Sequence, residues 1–288
     1  MEFNLKTLLG KDIPKDLLEI PQPPKKLYLA GNLPPKNTVY LAVVGSRKAT
    51  NYGKDICRKL ISGLKGYPIA IVSGLAVGID LFAHETALEV NLKAVAFLGN
   101  GISEEVFYPS NNWNFAKKIV ASDGCLISEF SPETKPELYH FPQRNRLVAG
   151  ISKAVLIIEA EEKSGTLITA RMALDYNREV LAVPGPINSQ FSKGTNKLIR
   201  NGATPITCSE DILEALGFKI DKETKQKNLF EDALPEEKIV LKILEEPMER
   251  DELIRKMKKG AGEANTILSI MEIKGFIKEE LGEIRRVF

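Results

Sequence analysis

Residues 141–171 read FPQRNRLVAGISKAVLIIEAEEKSGTLITAR. Ala154–Ile158 is a short, continuously apolar run, which fits a strand buried on both faces of a parallel sheet. Before it, Arg144, Asn145 and Arg146 stand in the opening turn of a helical stretch. After it, Ser164, Gly165, Thr166 and Thr169 open another. Free amides and the helix dipole make such openings favourable for anions. Arginine forks suit bidentate phosphate contacts and stacking on bases, and Phe141 offers a ring to a base of a single strand. A strand between the two segments holds both at one sheet edge, as two walls of one pocket.

Outward from this stretch the same alternation repeats. Strands are expected at Val39–Val44, Ile69–Val72, Lys93–Leu98, Cys125–Ser128, Glu179–Val183 and Ala203–Ile206, with helices between them over about 54–64, through Leu88, over 113–120 and up to Arg200. A closing helix over 209–216 would be capped by Ser209. This predicts an α/β fold: an extended Rossmann-like, doubly wound, mostly parallel sheet covered on both faces. The turns GSR (45–47), SGLAVGID (73–80), GNG (99–101) and PGP (184–186) follow the strands, so they should crowd the carboxyl rim, where open α/β sheets bind ligands. Gly45, Ser46 and Arg47 supply a third wall of amides and a cation. Lys193, Lys197 and Arg200 extend a basic rim.

The flanks read differently. Residues 1–37 are proline-rich and predicted to drape over the main domain of 38–216, with Leu27–Leu29 as an edge strand. Residues 217–234 are polar and lack periodicity, as expected of a linker. From 235 to 288 three amphipathic helices precede a hairpin turning near Gly282, the pattern of a winged helix-turn-helix. Its acidic and basic residues almost balance, whereas a winged helix that grips duplex DNA is usually basic.

Composition narrows the function classes. The chain has 288 residues, is 43% hydrophobic and 27% charged, and carries a formal net charge of +2. Any basic surface must therefore be local. Cys57, Cys125 and Cys208 form no CxxC pair and read as reduced cysteines of a cytosolic protein, with no zinc site. No signal peptide and no membrane span is expected. No GxxxxGK[ST] loop occurs, and Leu98-Gly99 stand where a dinucleotide site would place an acid, so neither a Walker ATPase nor an NAD enzyme is indicated. Asp80 reads as a turn-stabilising residue and His84 as a satisfied structural histidine. His140 has no visible nucleophile beside it.

Together, GSR (45–47), SGLAVGID (73–80), FPQRNRLVAGIS (141–152), SGTLITA (164–170), AVPGPI (182–187) and GTNKLIRNGA (194–203) resemble the DprA (Smf) family of DNA-processing proteins, in order and over residues 25–216. The resemblance implies homodimers that bind single-stranded DNA, protect it in natural transformation and load the RecA recombinase, with no enzymatic activity and no cofactor. It adds Ser73, Gly74, Ala76 and Gly78 of the SGLAVGID turn to the DNA-binding set. A more distant resemblance is to the "lonely guy" phosphoribohydrolases, an enzymatic alternative. Their PGGxGTxxE motif needs a glutamate where this chain has Thr169. A transcription regulator reading duplex DNA through the winged helix is a further alternative.

Overall fold

The computed structural model describes residues 3–219, 234–244, 246–280 and 282–286. The chain divides into two compact units, 1–219 and 220–288. Of the linker read over 217–234, residues 220–233 lie outside the described residues.

The first unit is built on nine strands: β1 (Leu5–Leu9), β2 (Lys26–Gly31), β3 (Val39–Val44), β4 (Ile69–Ser73), β5 (Lys93–Leu98), β6 (Cys125–Ser128), β7 (Ala154–Ile157), β8 (Glu179–Ala182) and β9 (Thr204–Pro205). They form one sheet in the order β1-β2-β6-β5-β4-β3-β7-β8-β9. The seven strands from β6 to β9 are parallel. From β3 the chain winds outward through β4, β5 and β6, then returns beside β3 with β7 and winds the other way. The boundary between β3 and β7 is therefore the topological switch point, where doubly wound sheets open a crevice. Val44 pairs in register with Ile157, so the loops after both strands emerge side by side.

The α-helices among the described residues of this unit are α1 (Lys15–Leu18), α2 (Asn51–Ser62), α3 (Ile79–Glu89), α4 (Trp113–Ala121), α5 (His140–Ile151), α6 (Gly165–Asp175), α7 (Lys193–Arg200) and α8 (Ser209–Ala215). Alternate strand residues feed opposite faces, as the strand period of two requires. Val72, Val95, Phe97, Val155 and Ile157 pack under Leu147 and Ile151 of α5 and Ala170 and Ala173 of α6. Ala94, Ala96, Leu98 and Leu126 pack against Leu75, Trp113 and Ile119 on the other face.

Three expectations are corrected. The segment before residue 38 is built into the sheet: β1 and β2 pair with each other and β2 with β6, all antiparallel. Leu27–Leu29 thus lie one strand in from the edge, which β1 occupies. The 154–158 strand ends at Ile157, where Ile158 hydrogen-bonds back to Val44. Ser209 does not cap α8. Asp211 accepts from the amides of Thr207 and Cys208, while the Ser209 hydroxyl donates to Leu60 O of α2 at 2.9 Å.

The second unit holds α9 (Pro235–Ile243), α10 (Arg250–Met257), α11 (Ala261–Ile273) and a small antiparallel sheet of β10 (Met248–Glu249), β12 (Glu283–Arg286) and β11 (Ile277–Glu280), in that order. Leu241, Leu253, Leu268, Met271 and Ile284 fill its own core. This is the winged helix read from sequence, with β10 as an added strand. α11 contains no lysine or arginine.

Candidate nucleic-acid interface

A cleft of about 710 Å³ opens at the β3/β7 switch point. Three interlocked turns build it. After β3, Ser46 Oγ accepts the Lys48 amide at 3.0 Å, shaping the GSR turn. After β4, the Ile79 amide donates to Ser46 O at 3.2 Å and fastens the SGLAVGID turn to the first. Gly78 is needed there: its φ is +84°, and a Cβ would run into the carbonyls of Ser46 and Arg47. After β7, Thr166 Oγ1 donates to Gly45 O at 3.1 Å, tying the start of α6 to the GSR turn. Ser164 caps α6 by accepting from the Thr166 amide. The positive end of the α6 dipole thus borders the cleft beside Arg47.

Glu159 holds the rear of this edge. Its buried carboxylate accepts from the Thr50 amide at 3.0 Å and the Thr50 hydroxyl at 2.5 Å. Thr50 is the cap of α2, so the carboxylate is engaged in helix capping.

Arg144 is a buried cation of the cleft, 5% exposed. Nη1 donates to Phe97 O at 2.5 Å and Nε to Asn145 Oδ1 at 3.2 Å. Burial lowers its guanidinium to about 10, with Asp80 opposing and Arg47 adding to the shift, so it stays charged at neutral pH. Asp80 is buried too, and accepts the Gly74 amide at 3.1 Å. Desolvation raises its pKa, opposed by Arg144 and by hydrogen bonds from Ala76, Gly74 and Ser73. This confirms Asp80 as the brace of its turn. His84, expected to be satisfied, is instead fully buried with neither ring nitrogen hydrogen-bonded. Desolvation and the neighbouring Arg144 push its pKa down to about 3, so it is neutral.

Most of the residues singled out from the sequence converge here. Gly45, Ser46, Arg47 and Ala76 line one side of the cleft, and Phe141, Arg144 and Asn145 another. Ser164, Gly165, Thr166 and Thr169 line the α6 side. Gly74 borders an adjoining niche. Ser73 is fully buried and donates to Val43 O at 2.6 Å, a role inside the sheet.

Three expected contacts lie elsewhere. Arg146 is turned away from the cleft: Nη2 meets Glu129 Oε2 at 2.5 Å and Nη1 donates to Gln22 O at 2.6 Å. Lys197 and Arg200 line a separate depression of about 490 Å³ beside Lys193 and Ile187, and Lys197 sits 3.8 Å from Glu162.

Other cleft residues were missed from the sequence. Lys48 and Lys163 add cations, Glu137 and Glu161 add carboxylates, and Tyr108 adds a ring. Arg47, Lys48, Arg144 and Lys163 thus face Asp80, Glu137 and Glu161. With cations and acids so nearly matched, attraction for an anion depends on local placement rather than bulk charge. The Arg47 guanidinium also sits 5.6 Å from the Phe141 ring centroid, within cation–π range. Among the described residues no His/Cys/Asp/Glu cluster could hold a metal ion, and no helix is long and apolar enough to cross a membrane.

Sequence comparison places the chain in one family. The family model described as DNA recombination-mediator protein A matches residues 4–217. Protein Smf of Escherichia coli is 42% identical over 205 residues, covering 71% of this chain and 54% of that protein. The chain therefore spans little more than half of that relative. DNA processing protein DprA of Streptococcus pneumoniae is 39% identical over 212 residues, 74% of each chain. The crystal structure of DNA processing protein A from Streptococcus pneumoniae superposes with a TM-score of 0.69 at 38% identity over 76% of both chains. DNA processing protein A of Helicobacter pylori, described for its single-stranded DNA binding mode, has a TM-score of 0.67 at 33% identity, covering 75% of this chain and 98% of that one.

Proposed function

Because the chain belongs to the DNA recombination-mediator protein A family, we propose that it binds single-stranded DNA in the switch-point cleft. One observation carries the reading: Arg47, the buried Arg144 and the amide-rich start of α6 converge on a single cleft. Guanidinium groups and a helix N-terminus suit the phosphates of a strand and read no base edge, so binding has low sequence preference. The family relationship supports a wider role: a cytoplasmic homodimer that protects single strands in recombination or natural transformation and delivers them to RecA.

Duplex reading by the second unit is disfavoured. In winged helices the recognition helix enters the major groove, yet α11 has no cation. Nearby, Arg250 is paired with Glu279, Lys259 with Glu236 and Glu263, and Lys274 with Glu237. Base hydrolysis is disfavoured as well, since Thr169, 2% exposed, stands where the phosphoribohydrolase glutamate would be.

The test is a titration of labelled single- and double-stranded oligonucleotides against wild type and Arg47→Ala over a range of salt. Tighter single-strand binding is expected, with Arg47→Ala weakening it and reducing the salt slope by about one unit. Equal affinity for both strand types, or an unchanged mutant, overturns the reading. Release of free base from nucleoside monophosphates would assign hydrolysis instead.

A further inference from the structure

A second groove, of about 580 Å³, shares no lining residue with the cleft. Its volume falls in the range of about 300–1,000 Å³ that ligand sites occupy. Ile102, Val106 and Trp113 on one side, and Phe3 and Leu5 at the start of β1 on another, give it apolar walls. Glu104 and Glu105, in a short 3-10 turn after β5, and Glu133, in the loop after β6, add three exposed carboxylates. Among the described residues no lysine or arginine lines the groove, and none of these three acids is in an ion pair.

Two buried donors stand among these residues unused. Trp113 is 6% exposed, and its indole N–H has no hydrogen-bond partner. The Ser103 hydroxyl, also shut from solvent, has none either. Buried polar groups are almost always paired, and an unmet one is costly. The indole is fixed: Phe3 and Phe107 meet it edge-on at 5.0 and 5.1 Å, and Lys117 Nζ lies 5.8 Å from its centroid. Its N–H is therefore held in place for an acceptor that the chain itself does not provide.

A ligand must match three features at once: the acids, the apolar walls and the orphaned donors. A metal ion brings charge alone, and among the described residues no cluster of His, Cys, Asp or Glu could hold one. A polyamine brings charge and methylenes but no acceptor. A nucleic-acid strand is repelled by the carboxylates. A peptide with lysine or arginine next to an apolar side chain brings all three, since its backbone carbonyls accept hydrogen bonds.

We propose that this groove is a docking site for a basic peptide segment of a partner protein. The peptide's cations meet Glu104, Glu105 and Glu133, an apolar side chain covers Ile102 and Val106, and a carbonyl accepts from Trp113. The proposal is independent of the single-strand reading above.

Trp113 is the one tryptophan of the chain, so its emission reports on the groove directly. The experiment titrates the full chain with acetyl-Lys-Leu-Lys-Leu-Lys-amide, with the same peptide carrying Glu in place of Lys, and with spermidine. The lysine peptide should shift the emission saturably, with an affinity that falls as salt rises. The glutamate peptide should leave the emission unchanged. Spermidine should bind about tenfold more weakly than the lysine peptide, lacking the acceptor and the apolar side chain. Glu104→Gln combined with Glu105→Gln should weaken the lysine peptide by about tenfold, the scale of two exposed ion pairs. Arg47→Ala should bind it as wild type does. No shift with the lysine peptide, an equal response to either of the other probes, or wild-type affinity in the double variant overturns the inference. A loss of peptide affinity in Arg47→Ala would move the peptide to the cleft and overturn it as well.

Discussion

Arg146 Nη2 donates to Glu129 Oε2 at 2.5 Å, and the two side chains are 7% and 19% exposed. Two positions earlier on the same helix, Arg144 lines the cleft. Residues two apart on an α-helix point about 200° apart, so the RNR string serves two opposite sides. Removing one partner of a buried pair costs about 3 kcal/mol, because the other charge is stranded. Arg146→Ala should therefore lower the unfolding free energy by about that amount in denaturant titrations. Its oligonucleotide salt slope should stay at the wild-type value, and a reduced slope would return Arg146 to the phosphate contacts.

Gly74 and Gly165 should respond oppositely to the same substitution. A Cβ at Gly74 would overlap the Arg144 guanidinium, whereas one at Gly165 meets nothing within 4 Å. Gly74→Ala should cost about 1–3 kcal/mol of stability by overpacking and weaken oligonucleotide binding by displacing Arg144. Gly165→Ala should stay within about 0.5 kcal/mol of wild type. Thermal and denaturant unfolding of the two variants side by side decides the point.

His84 makes stability depend on pH. Its folded pKa, about 3, lies below the ordinary 6.5, so the unfolded chain takes up the proton first. The resulting stability is present above pH 6.5 and is lost as pH falls from there toward 3. Between pH 7.5 and 5.5 the loss from this group should be about 1.4 kcal/mol. His84→Leu should remove that increment from the wild-type pH profile. An unchanged difference between the two pH values would show that His84 is protonated or hydrogen-bonded when folded.

A chain truncated after Lys219 should fold and bind single strands as the full chain does. The first unit carries its own sheet, core and cleft, and the second is filled by a separate apolar cluster. A drop in affinity beyond about tenfold, with circular dichroism unchanged, would place part of the interface in residues 220–288.

The parallel core was legible because its strands are continuous apolar runs punctuated by glycine turns, and because such turns must gather at one edge. The antiparallel edge was not. β1 reads LKTLL, with only Leu8 buried, and its pairing with β2 is a long-range choice that no local period announces. In the site, Gly45–Arg47 and Ser164–Thr166 could be found because their chemistry is concentrated in short strings. One arginine of the RNR string was expected to pair inside the domain, and helical phase decides that it is Arg146, with Glu129. Tyr108 was missed because it lies in an aperiodic loop, and only the tertiary fold brings its ring to Phe141.

Arg144 is held by hydrogen bonds to Phe97 O and Asn145, and the Asp80 charge favours its ionised form. Its rotamer freedom is thus given up when the protein folds, not when an anion arrives. A solvated lysine at the cleft rim must still be ordered to make the same contact, at up to about 2 kcal/mol of side-chain entropy. Arg144 accordingly acts as a standing potential in the wall, present before any ligand. It favours every anion that fits to the same degree, and so supplies affinity without discrimination.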